Sequence, residues 1–303
     1  MSESEVGRLL RSVPFGERLA AGHAPRRASG CALMLELPAL LNEHLGEPLP
    51  QSIVRELQLI QANLLVHLQF RDDAVDGQST MGGGEPGAPL ASAEEGLARL
   101  FPPGDPFWDD YRRLCGEQQA SERWELRARG SPLPPWNDAL LDAIGGKGAM
   151  LRWPASAVAG LCALPEAKGS LEDLCARLLR VALLFDDLAD FDDDADRGRI
   201  NAVLCAGGIT AGDALHFHSS AQRGAETVCA TIRAELDAVR QAAHESTELA
   251  ATSEHLKEEC AAALAAFVGR CETRISAHLF ETLADGFGEV AGTQPDPDGS
   301  PPR

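Results

Sequence analysis

With 303 residues the chain can form one large domain or two ordinary ones, and its abundance of Ala, Leu, Glu and Arg beside a single Tyr favours helix over sheet. A formal charge of −19 argues against nucleic acid or an anionic membrane surface as the main partner; an anionic substrate would need metal ions or a few placed cations. The eight cysteines are scattered singly with no Cys-x-x-Cys pair, a pattern of reduced thiols that points to the cytoplasm, and no apolar run approaches the roughly 18 residues of a membrane span.

Taken in order, residues 1–20 have the pattern of a short amphipathic helix interrupted near Pro14-Phe15-Gly16, and 21–30 read as a loop leading into a helix. Residues 31–44 are apolar and helical, with Pro38 as an expected kink or break. From 52 to 75 the apolar positions Ile53, Leu57, Ile60, Leu64, Leu68 and Val75 keep helical spacing. The Gly/Pro-rich stretch 77–90 is a loop. Helices follow over about 91–100 and 109–127, then a second Pro-rich loop at 130–135. A further helix starts near Asn137 and bends at Gly145-Gly146-Lys147-Gly148, and residues 151–163 stay apolar. Residues 166–191 form the strongest helical pattern, ending in a polar turn and a short apolar segment over 192–208. Three weaker helices are expected at 210–219, 221–246 and 252–285, and the tail from 292 has the composition of disorder. No repeat or linker divides residues 1–291, so one helical domain is expected with 292–303 as its tail.

Two stretches break the apolar logic. Leu183-Leu184-Phe185-Asp186-Asp187-Leu188-Ala189-Asp190 and Phe70-Arg71-Asp72-Asp73-Ala74-Val75-Asp76 each set three aspartates at i, i+1 and i+4 among apolar residues. On a helix the first and last carboxylates lie nearly one above the other, with the second on their flank. Carboxylates so placed repel one another and resist burial unless a cation neutralises them, and oxygen-only ligands of this kind suit a hard ion such as Mg²⁺. A single acidic patch is ordinarily a solvated face, as Asp109-Asp110 and Glu258-Glu259 are read; the same rare spacing twice is not. The alternating Asp190, Asp192, Asp194 and Asp196 are not a calcium loop, because its required Gly and Glu positions hold Ala195 and Asn201.

This chain resembles the trans-isoprenyl diphosphate synthases of the class I terpenoid synthase superfamily. The two D-D-x-x-D motifs carry the resemblance, together with Lys147 in Gly146-Lys147-Gly148-Ala149, 39 residues before Asp186 (186 − 147), and Arg199 in Gly198-Arg199-Ile200-Asn201 after the second motif. The four elements keep the family's order over roughly residues 50–205. The resemblance implies an all-α, single-domain bundle of ten or more helices around a central cavity, the isoprenoid synthase fold, and a homodimer. It also implies up to three Mg²⁺ held by Asp72, Asp73, Asp76, Asp186, Asp187 and Asp190, with Lys147 and Arg199 on the diphosphate of an allylic prenyl substrate.

The departures fall on the second-substrate half. The family holds isopentenyl diphosphate with a Gly-Gly-Lys-x-x-Arg-Pro segment, where this chain offers Arg26 and Arg27 as the nearest cations. A family His before the first motif is Leu65, a Gln before the second is Leu183, and an Arg-Arg pair after the first is replaced by Gln78-Ser79-Thr80. The expected activity is Mg²⁺-dependent prenyl transfer from an allylic prenyl diphosphate. The alternative is a class I terpene cyclase using one prenyl diphosphate; a non-catalytic regulatory subunit ranks below both, since such subunits tend to lose the aspartates. Few aromatics leave little π surface to steer a cyclising cation. Glu122 and Glu125 could approach the cavity from their helix but are read first as an exposed face, Arg71 as a local offset to the first motif, and the four tryptophans as core or loop anchors.

Overall fold

The computed structural model describes residues 8–13, 27–75, 87–129, 132–209, 214–243 and 246–292, without the side chains of 27–29, 73–75, 214–215 and 278–292. Among these residues there are helices and no strands. In chain order they are α1 (Arg27–His44), α2 (Gln51–Val75), α3 (Ala88–Leu100), α4 (Phe107–Ala128), α5 (Asp138–Gly146), α6 (Pro154–Leu161), α7 (Lys168–Arg197), α8 (Ala202–Gly207), α9 (Ala214–Ala242) and α10 (Thr247–Gly292). Two 3₁₀ turns, Ala149–Arg152 and Pro165–Ala167, connect α5 to α6 and α6 to α7.

Helix α7 is the element on which the bundle is built. Its apolar residues Leu171, Leu174, Leu178, Val181, Leu184 and Leu188 recur at three- and four-residue intervals, which puts them on one stripe, and all are buried. Around it pack α1, α5, α6, α8 and α9, while α2 packs on α1 and α3. Helix α4 lies against α5, α6 and the first 3₁₀ turn. A smaller apolar cluster forms where residues 8–13 lay Leu9, Leu10 and Val13 over Leu35, Ala62, Val66 and Phe70 of α1 and α2.

The helices differ from the sequence expectation in three places. Pro38 does not break α1, which runs unbroken from Arg27 to His44 with the proline inside it. Helix α7 does not stop at Phe191 but continues to Arg197, where Gly198 takes a left-handed conformation (φ 64°) open to glycine without strain and caps the helix. That acidic last stretch is held by cations: Arg197 meets Asp193 one turn back at 3.5 Å, and Arg270 and Arg274 of α10 reach Asp192. The third difference is that the three weak helices are two, α9 and the 46-residue α10. Helices α8 and α9 meet so closely that a Cβ on Gly224 would lie 2.2 Å from the Val203 carbonyl oxygen. All eight cysteines are free thiols, and no described helix is long and apolar enough to cross a membrane. Residues 77–86 of the expected loop and the expected tail from 293 lie outside the described residues, while 88–90 of that expected loop already belong to α3.

Candidate active site

A cavity of about 420 Å³ opens between α1, α2, α4, α5 and α7. Asp72 of the first motif and Asp186, Asp187 and Asp190 of the second all line it, as do Lys147 and Arg199. The two motifs therefore line one cavity, although they belong to separate helices, α2 and α7, each of which packs on α1. Asp72 and Asp186 are exposed at its rim. Asp73 has its backbone in the last turn of α2, Asp76 lies outside the described residues, and so does Arg26. Arg27 begins α1, whose next turn brings Gly30 and Cys31 to the cavity wall.

Lys147 is delivered by local geometry. Asn137 caps α5 by accepting the Leu140 N–H at 3.0 Å, and the helix ends with Lys147 at its C-terminal cap. The following 3₁₀ turn is pinned by three side-chain bonds. Gln61 of α2 donates to the Leu151 carbonyl at 3.0 Å, Trp153 donates its indole N–H to Gln61 Oε1 at 2.6 Å, and Gln118 of α4 accepts the Met150 N–H at 3.2 Å. Gln61 and Trp153 are fully buried, so Trp153 is a core anchor as its sequence context suggests.

The Lys147 ammonium lies 3.0 Å from Glu125. Burial alone would push its pKa down, but Glu125, Asp187 and Asp72 outweigh that and raise it above the usual lysine value. Lys147 is thus firmly charged, and it feels both motifs. Asp187 behaves differently. Burial pushes its carboxyl up to about 8, against the pull of Lys147 and of the Ala202 N–H, and Asp194 and Asp186 add to the rise. The contrast within this pair follows from geometry, because Lys147 gives its short contact to Glu125 and leaves Asp187 under-compensated. Both side chains retain some solvent exposure because they face the cavity, while protein closes around them elsewhere.

Asp187 is also held from the far side. Its Oδ2 accepts the Ala202 N–H at 2.8 Å. Next to it, Asn201 is completely buried and makes three bonds: its Oδ1 accepts the Val203 N–H at 2.9 Å, and its Nδ2 donates to the Asp187 carbonyl at 2.7 Å and to Asp194 Oδ2 at 2.9 Å. Arg199 lies 3.6 Å from Asp194. The segment after the second motif therefore ties α7 to α8 and orients one aspartate of that motif, a role sequence reasoning did not assign to Asn201. The available signal was its position as a helix-capping residue just before an apolar run.

The reading of Glu122 and Glu125 as an exposed face is overturned. With Gln118 they form one stripe of α4 that lines the cavity, and Glu125 is only 9% exposed. Arg71 likewise does more than offset its neighbouring aspartates, since it forms an ion pair with Glu122 across the cavity. Among the described residues no three carboxylate, imidazole or thiol groups converge closely enough to hold a metal ion by themselves. Mg²⁺ does not require such a cage, because it is usually bound by one or two carboxylates and completed by water and substrate phosphate. The rim carboxylates Asp72, Asp186 and Asp190 fit that mode with oxygen donors only. No protein-family model, curated protein or solved structure matches this chain.

Proposed function

We propose that this chain is a Mg²⁺-dependent enzyme of the isoprenoid synthase fold that ionises an allylic prenyl diphosphate and transfers the prenyl group. The observation that carries the reading is the single cavity lined by aspartates of both D-D-x-x-D motifs together with Lys147 and Arg199. Asp72, Asp186 and Asp190 would hold Mg²⁺, with Asp73, Asp76 and Asp187 as the remaining motif carboxylates. When bound, the metal would neutralise charge on the diphosphate as the leaving group departs. The Lys147 ammonium and Arg199 guanidinium, which line the same cavity, would bind that diphosphate and stabilise its growing negative charge. Leu65, Leu68, Leu151, Leu179 and Leu183 give the hydrocarbon an apolar wall that keeps water from the carbocation.

A second reading, cyclisation of one prenyl diphosphate, is favoured by Leu65 and Leu183, which bring apolar surface to the cavity where the resembled family uses polar side chains. As in that family, the protein would work as a cytoplasmic homodimer. Incubation with geranyl, farnesyl or geranylgeranyl diphosphate and Mg²⁺ should release pyrophosphate, and release should collapse in Asp72→Ala and Lys147→Met. No release from any of the three would refute the proposal.

A further inference from the structure

The stripe of α4 that faces the aspartates sets what else the cavity can accept. Of the four cationic residues lining the cavity among the described residues, three already face a glutamate of this one helix. Arg71 pairs with Glu122, while Lys147 at 3.0 Å and Arg129 at 3.8 Å share Glu125. Glu122 is held further by Gln118, whose Nε2 donates to it at 3.1 Å and whose own oxygen is taken by the Met150 N–H. This wall is therefore a fixed, charge-compensated lattice. A diphosphate at the aspartate side draws on Lys147, Arg199 and Mg²⁺. A second diphosphate would have to lie against α4, break ion pairs there, and sit beside two carboxylates in a poorly solvated space. The cavity volume of about 420 Å³ is near the lower end of the range of roughly 300–1,000 Å³ typical of a pocket for one small ligand.

Resting on the proposed prenyl diphosphate chemistry, we infer that Glu122 and Glu125 are specificity-determining residues that limit this cavity to a single diphosphate, so that the prenyl cation is captured by an uncharged acceptor. In that step the C–O bond to diphosphate breaks and its electron pair leaves with pyrophosphate. The acceptor's electron pair, from a hydroxyl oxygen or a carbon–carbon double bond, forms the new bond to carbon, and the acceptor's proton passes to water or pyrophosphate.

Calorimetric titration of the full-length protein with inorganic pyrophosphate in Mg²⁺ tests the inference. The wild type should take up one equivalent per chain, and Glu122→Gln/Glu125→Gln should gain a second, weaker one as the two opposing carboxylates lose their charge. Two equivalents in the wild type, or no second one in a folded double variant, would overturn it. No uptake at all by the wild type would instead overturn the diphosphate reading on which it rests. A product assay on the wild type keeps the test decisive should the double variant not fold. An alcohol or hydrocarbon formed from farnesyl diphosphate at the same rate with or without isopentenyl diphosphate supports the inference, the alcohol marking water as acceptor and the hydrocarbon a double bond. A longer diphosphate product would overturn it.

Discussion

Replacing Asn201 with Ala removes three interactions at once, and their sum can be worked from the geometry. The capping bond to the Val203 N–H is worth about 1 kcal/mol. The bond to the Asp187 carbonyl contributes about 1 kcal/mol, and the bond to the Asp194 carboxylate about 1.5–3 because its acceptor is charged and buried. The expected loss is therefore roughly 3–5 kcal/mol, or a fall in melting temperature of roughly 6–10 °C at about 2 °C per kcal/mol for a large domain. Thermal unfolding followed by circular dichroism at neutral pH measures it. Asn201→Ser keeps a capping oxygen and loses the amide donor, so it should fall between wild type and Ala. Asn201→Asp keeps the cap but sets a carboxylate against Asp194, so its deficit should shrink as the pH is lowered and these groups protonate. A shift of under about 2 °C for Asn201→Ala would refute the claim that this side chain joins α7 to α8.

Other consequences can be checked alongside. Loss of the Lys147 ammonium in Lys147→Met should lower pyrophosphate release by roughly 10²–10³-fold, with Lys147→Arg retaining more, as measured with saturating substrate and Mg²⁺. EDTA should abolish that release in the wild type and added Mg²⁺ restore it. The raised Asp187 carboxyl makes metal-free stability depend on pH. From the usual carboxylate range up to about 8 the folded chain holds a proton that the unfolded chain has lost, so this group's contribution falls as pH rises through that window. Asp187→Asn keeps an oxygen for the Ala202 N–H, and its melting temperature relative to wild type should therefore rise between about pH 5 and about pH 8.5 without metal. Gly224→Ala would place a methyl 2.2 Å from the Val203 carbonyl, and should cost about 3 kcal/mol in a denaturant titration unless α8 moves away.

The all-helical class and the path of the chain were legible because apolar spacing directly encodes which face of a helix is buried. Leu57, Leu64 and, in α7, Leu171, Leu174, Leu178, Leu184 and Leu188 are buried as their period requires. That Asp72, Asp186 and Asp190 line one cavity was expected from the family resemblance that the two motifs carry, because spacing alone does not say which helices meet. What escaped is what depends on tertiary rotation. Glu122 and Glu125 have the composition of a solvated face, and only the packing of α4 against α5 and α6 turns them inward. Asn201 is one polar residue in a turn until Asp194, on an unexpectedly long α7, comes within reach of its amide. The end of α7 could not be read either, because the run from Asp190 to Asp196 repels itself locally and its compensating cations, Arg270 and Arg274, belong to a distant helix.

That last contact has a consequence for how the protein is made. The bond from Arg274 to Asp192 spans 82 residues, so during synthesis every residue of both aspartate motifs emerges before the cations that quiet the acidic turn beside the second one. Until α10 docks, self-repulsion among these aspartates would fray the end of α7 and slacken Asp194 and its hold on Asn201. A chain cut short before Arg270 would carry every motif residue and still lack the scaffold that aims them. Damage of that kind leaves the recognisable residues untouched and shows itself in folding yield.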